Sequence, residues 1–155
     1  MSPMPQKKVL VVDDELFVRE LMVEFFSKEG YQVCIEENGE RAVRKIESDS
    51  FDVALIDLKM PGMDGLKTLK EIKRLSPSTL SVIMTGYPTI ETCIDALRSG
   101  AFDYVVKPFK LAELKSCIDK AVKEHQRNGE VGKLRQRIKS LEDELEKSRA
   151  ILNLN

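Results

Sequence analysis

Four short polar stretches in this 155-residue chain could do chemistry together: Asp13 and Asp14, Asp57, Thr85, and Lys107. Each closes an apolar run that reads as a strand: "KKVLVVDD", "FDVALID", "TLSVIMT" and "FDYVVK". Three converging carboxylates repel one another and raise each other's pKa, and a hard divalent cation resolves the conflict. Oxygen-only ligands with room for water suit magnesium, which is usually held by one or two carboxylates together with phosphate oxygens. A mobile ammonium at Lys107 and a neutral hydroxyl at Thr85 are parts suited to holding a phosphoryl group, and positioning with charge neutralisation is most of what phosphoryl transfer requires. A carboxylate can itself be the nucleophile, yielding an acyl phosphate, and Asp57, at the end of a strand apolar on both faces, is the acid placed for it.

These residues meet only if the strands share one sheet edge. Five apolar runs alternate with five helical patterns, which argues for a parallel sheet covered on both faces. In such a sheet, ligands bind beyond the carboxyl ends of the strands. The helices follow "ELFVRELMVEFFSKEG", "NGERAVRKIESDS" opened by Asn38, "GLKTLKEIKRLS" capped by Asp64, "TIETCIDALRSG" and "KLAELKSCIDKAVKEHQR".

Composition narrows the class. The chain is 42% hydrophobic and 33% charged, with a formal net charge of −1, so no global field favours nucleic acid or an anionic membrane. No apolar run approaches the roughly 20 residues that span a bilayer, and residues 1–6 read as a loose lead-in without a signal peptide's apolar stretch. Three cysteines without CxxC spacing indicate neither a disulfide framework nor a zinc site, which fits a reducing cytoplasm. His125, in "KEHQR", reads as a solvated helix residue.

Taken in order and at their spacings, "VVDD", "LIDLKMPGMDG", "MTGY" and "YVVKPF" resemble the receiver domain of bacterial two-component response regulators over roughly residues 8–127. The stretch "MTGYPTIETCIDALRSGAFDYVVKPF" is most similar to receivers of the nitrogen-regulatory (NtrC-like) activators, which precede an ATPase module through a helical linker. The resemblance implies a flavodoxin-like doubly wound sheet in the order 2-1-3-4-5. It implies a phosphoryl group taken from a sensor histidine kinase onto Asp57, with Mg²⁺ held by Asp13, Asp14, Asp57 and the Lys59 backbone carbonyl. It also implies that Thr85 and Lys107 contact the phosphoryl group, that Tyr104 is the switch aromatic, and that Lys107-Pro108 is a candidate cis peptide. Lys59 and Tyr87 occupy positions expected to influence phosphoryl lifetime. A phosphatase of the haloacid-dehalogenase type would need a second acid two residues after its nucleophile, where this chain has Lys59.

Residues 7–127 are thus the expected receiver, and 128–155 a linker with a coiled-coil helix. From Val131 a heptad places Val131, Ile138, Leu145 and Leu152 at a, and Leu134, Leu141 and Ser148 at d. The g–e′ pairs Glu130–Arg135, Arg137–Glu142 and Glu144–Arg149 all have opposite sign, favouring a parallel homodimer through 131–152. Gly129 and Gly132 should weaken a continuous helix at its start, each by ~1 kcal/mol relative to alanine. With no helix-turn-helix pattern after the receiver and no phosphate loop, direct nucleic-acid binding and nucleotide hydrolysis are not expected of these residues. A piece of a longer activator and a single-domain regulator with a dimerising tail both remain open.

Overall fold

A computed structural model describes residues 7–153; the lead-in expected at 1–6 lies outside them. Strands and helices alternate throughout: β1 (Lys7–Val12), α1 (Leu16–Lys28), β2 (Tyr31–Glu36), α2 (Gly39–Ser48), β3 (Val53–Asp57), α3 (Gly65–Leu75), β4 (Leu80–Thr85), α4 (Ile90–Arg98), β5 (Asp103–Val106) and α5 (Leu111–Asn153). All four strand pairings are parallel, and the order is β2-β1-β3-β4-β5. This is the parallel sheet that the strand pattern predicted, in the doubly wound flavodoxin-like order that the family resemblance implied.

The period-two geometry of the strands explains why their sequences are apolar throughout. Val9, Val11, Val53, Leu55, Val82 and Met84 point to one face and pack with α1 and with Leu114, Ile118 and Val122 of α5. The alternate residues, Leu10, Val12, Ala54, Ile56 and Ile83, point to the other face and meet Ala42 and Ile46 of α2, Leu69 and Ile72 of α3, and Ala96 of α4. β3 is buried along its whole length, Asp57 included.

The helix starts follow the chemistry of their caps. The Asn38 side chain accepts from the Arg41 N–H and that of Asp64 from the Lys67 N–H, each at 2.8 Å, so both expected caps are formed. Thr89 and Thr92 cap each other reciprocally at the start of α4.

The chain divides into two compact units between His125 and Gln126. In the second unit the helix runs through Gly129 and Gly132 without interruption, so whatever weakening they bring does not break it. A Cβ at either glycine would meet nothing within 4 Å. Glycine costs a helix backbone entropy rather than geometry, and Glu130, Lys133, Leu134 and Arg135 around it are helix formers. The expected seam is solvent-exposed, from Val131 at 38% to Leu152 at 73%.

His125 departs from its solvated reading. Its side chain is three-quarters buried, and Nδ1 stands 2.8 Å from Asp52 Oδ1. Asp52 in turn accepts the Lys8 N–H at 2.7 Å, so the imidazole docks on the entry edge of the sheet, opposite the strand ends.

Candidate functional site

The carboxyl edge of the sheet brings together every strand-end residue singled out by the sequence. β1 runs out at Val12 and delivers Asp13, whose N–H donates to the Glu36 carbonyl at 3.2 Å and continues the β1–β2 ladder by one residue. Asp57 is the last residue of β3, Thr85 the last of β4, and Lys107 directly follows β5. Asp13, Asp57 and Thr85 are buried, whereas Asp14 is exposed.

One oxygen from each of Asp13, Asp14 and Asp57 lies within 4.8 Å of the others. Among the described residues this is the group of acids arranged to hold a metal ion. Its donors are all hard oxygens, one of them open to solvent, which fits a small divalent cation that keeps part of its water shell. The Lys107 Nζ bridges the two buried acids, donating to Asp13 Oδ2 at 2.9 Å and lying 3.6 Å from Asp57 Oδ2.

Burial raises the Asp57 carboxyl from its ordinary value near 3.8 to about 6, helped by the neighbouring charges of Asp13 and Asp14. Lys107 and the Lys59 N–H, which hydrogen-bonds the carboxylate, pull in the other direction and only partly offset it. Burial pushes Lys107 down, but its bond to Asp13 and the charges of Asp13, Asp57 and Glu15 outweigh this and its net shift is upward. The formal sum of three aspartates and one lysine is −2, the charge a divalent cation neutralises.

The surrounding backbone holds these groups in place. Asp13 Oδ1 accepts the Glu15 N–H at 2.9 Å, and the Arg19 guanidinium donates to the Asp13 carbonyl at 2.8 Å. Arg19 was not singled out by the sequence, because its partner is a main-chain oxygen six residues back and leaves no compositional trace. The Leu58 N–H donates to the Met84 carbonyl at 2.8 Å, and the Lys107 N–H to the Thr85 carbonyl at 2.7 Å. Lys107-Pro108 is cis, as the resemblance implied. Gly65 closes on the acid from the other side: a Cβ there would meet the Asp57 carbonyl oxygen at 2.2 Å, so the first turn of α3 packs directly on the main chain of Asp57. Gly86, after Thr85, has open surroundings, the nearest atom to a Cβ being Lys107 Cβ at 4.0 Å.

Thr85 and Tyr104 have separate partners. The Thr85 hydroxyl accepts the Tyr87 N–H at 3.1 Å. Tyr104 sits opposite Ile83 on β5, half-buried, with its hydroxyl 3.3 Å from Thr92 Oγ1 on α4. Lys59 and Tyr87 face each other, the ammonium 4.4 Å from the ring centroid. Met60 is buried in the core beside α2 and α3.

This geometry can bind a divalent cation and present a buried carboxylate to an electrophile. Known proteins resemble the chain in sequence and fold. Residues 9–119 match the model of the response regulator receiver domain. The regulatory protein AtoC of Escherichia coli is 38% identical over 131 residues, 84% of this chain but 28% of AtoC. Sporulation initiation phosphotransferase F of Bacillus subtilis is 35% identical over 117 residues, 76% of this chain and 94% of that protein. The structure of response regulator TrrA from Thermotoga maritima, in complex with Mg²⁺ and BeF, is 36% identical over 75% of this chain and 99% of its own, with a TM-score of 0.69. The chain therefore belongs to the response regulator receiver family, the phosphoacceptor modules of two-component signalling, and its receiver is of the kind carried by NtrC-like activators.

Proposed function

We propose that Asp57 is the phosphoacceptor of this receiver and that Asp13, Asp14, Asp57 and the Lys59 carbonyl hold Mg²⁺. The observation that carries this reading is the three-acid cluster with Lys107 bridging its two buried members. In the reaction, an Asp57 carboxylate oxygen attacks phosphorus, the P–N bond of a sensor kinase's phosphohistidine breaks, and the electron pair leaves with the imidazole. Bound magnesium supplies charge neutralisation for the transferring oxygens. Lys107 turns from Asp13 toward the new phosphoryl group and the Thr85 hydroxyl donates to it. An apolar recess of about 520 Å³ lies beside Lys107, lined in part by Phe17, Val18, Leu21 and Phe109. With Phe17 74% exposed, this recess supports docking of the kinase there.

The output is conformational rather than the turnover of a separate substrate. Converting one carboxylate to a doubly ionised acyl phosphate adds about one negative charge. Movement of Thr85 toward it makes room for Tyr104, which couples the site to α4 and β5. Residues 7–127 are the receiver, and 128–155 a linker and dimerising helix. The exposed apolar seam with its g–e′ charge pairs supports a parallel homodimer through 131–152. Among the described residues no helix is long and apolar enough to cross a membrane, and the free thiols of Cys34, Cys93 and Cys117 suit a cytoplasmic protein. This chain does not itself contact nucleic acid in this reading; DNA binding, where a longer activator has it, falls to other domains.

The deciding experiment is phosphorylation from a small-molecule acyl phosphate in Mg²⁺, followed by mass spectrometry. One hydroxylamine-labile phosphoryl group is expected on the wild type and none on Asp57→Asn. An Asp57→Asn protein that still labels would show that the nucleophile lies elsewhere.

A further inference from the structure

We infer that Glu40, at the start of α2, is a positioning residue for the metal and phosphoryl site, acting through the loop that follows Asp57. This role rests on the metal assignment proposed for the acidic cluster. The loop 58–64 carries the Lys59 carbonyl assigned to the metal and the Lys59 N–H that hydrogen-bonds Asp57. Its ends are fixed by its own chain: the Gly65 N–H donates to the Leu58 carbonyl at 2.9 Å, and Asp64 caps α3. Its second half is also gripped from a different element. Glu40 Oε1 accepts the Met63 N–H at 3.0 Å, across 23 residues of sequence.

The surroundings are shaped for this contact. Gly62 adopts φ +79°, a conformation that favours glycine. A Cβ at Gly62 would stand 3.1 Å from Glu40 Oε1. Gly39, next to Glu40, is buried so closely that a Cβ there would meet Thr68 Oγ1 at 2.2 Å and Met63 Cβ at 3.0 Å. Two consecutive residues of α2 thus seat the turn, one by contact and one by a charge-assisted hydrogen bond. The Glu40 side chain is exposed, so it fills no core space, and what it does instead is hold the loop. A loop held at Met63 by a second element, in addition to its anchored ends, has fewer conformations to lose when the Lys59 carbonyl closes on a cation, so the grip raises metal affinity by preorganisation.

The test is calorimetric titration of Mg²⁺ into the full chain, unphosphorylated, as wild type, Glu40→Ala, Glu40→Gln and Asp14→Asn, with amide exchange of Met63 as a second readout. Loss of one such hydrogen bond predicts magnesium binding about 5-fold weaker in Glu40→Ala, with Met63 exchange faster by a similar factor. Glu40→Gln, whose amide oxygen still accepts from Met63, is expected within about 2-fold of the wild type on both readouts. Faster Met63 exchange with unchanged magnesium affinity overturns the inference, leaving Glu40 a local fastener. Equal weakening by Gln and Ala also overturns it, because long-range charge and not the hydrogen bond would then be responsible. If Asp14→Asn does not weaken magnesium, the metal-site reading itself fails and takes this inference with it; if Asp14→Asn weakens it and Glu40→Ala does not, only the present inference falls.

Discussion

The Tyr104 hydroxyl stands 3.3 Å from Thr92 Oγ1, and that same threonine closes the capping box at the start of α4. The aromatic residue proposed to move on phosphorylation is therefore tied to the turn that starts the helix proposed to respond. Thr92→Val keeps the shape and removes the oxygen. Amide exchange over 90–95 is expected to rise, since a lost cap costs about 1 kcal/mol. Freed from Thr92, Tyr104 turns inward at lower cost, so beryllofluoride should bind the variant up to about 5-fold tighter. Unchanged or weaker beryllofluoride binding would separate this contact from the switch.

Asp57 makes the metal-free protein pH-dependent. Its folded-state value of about 6 lies above its ordinary 3.8, so the native state holds the proton more tightly than the unfolded chain. This contribution is fully present below about pH 4 and is lost as pH rises through 6. In chelator, Asp57→Asn should match the wild type near pH 4 and exceed it by about 2–3 kcal/mol at pH 8, since a pKa difference of one between the folded and unfolded chain is worth about 1.4 kcal/mol. Urea unfolding at the two values checks this, and a gap that does not grow between them would contradict it.

Lys107 acts as the resident cation when magnesium is absent. Lys107→Ala leaves Asp13, fully buried, without its ion-pair partner. Loss of a partner from a buried pair is worth up to about 3–5 kcal/mol; with Lys107 one-fifth exposed, about 2 kcal/mol is expected. Magnesium should restore most of that loss and bind the variant more tightly than the wild type. Melting curves with and without magnesium measure both effects. Equal destabilisation in the two conditions would argue that the lysine is a packing element only.

The helix beyond Gln126 should dimerise the chain through its apolar seam. Ile138→Lys with Leu141→Lys puts charge at successive a and d positions, and sedimentation should then report monomer. Reversal of Arg137 to Glu alone, against Glu142 of the partner copy, should weaken the dimer by roughly tenfold at low salt, because both symmetric copies of a weak exposed pair turn from attractive to repulsive. A dimer insensitive to the double lysine variant would place the interface elsewhere on the molecule.

The strand ends, the caps at Asn38 and Asp64 and the parallel sheet could be read from the residues because each rests on local chemistry or strict periodicity, whereas the strand order came from the family resemblance. The three acids could be read because a parallel sheet brings strand ends together whatever the loops do. What the sequence did not reveal rests on contacts and balances that residue type alone does not encode. His125 reads as solvated until Asp52, 73 positions earlier, is folded beneath it. The helix through Gly129 and Gly132 persists because single glycines lower stability without dictating a bend. Arg19 and Glu40 act on main-chain groups, which carry no residue-type signal, so only the folded chain displays them.

Gly65 gives the site a direction. Because α3 rests on the main chain of Asp57 with no room for a single added carbon, that flank of the acceptor is incompressible. The opposite flank, at Gly86, has slack. A charge added at Asp57 does its mechanical work where the walls yield, on the β4–α4 side, while the α3 side serves as the anvil. Gly65→Ala would do more than loosen a turn: by forcing α3 off its seat it would let strain escape both ways, and the message would fade before reaching α4.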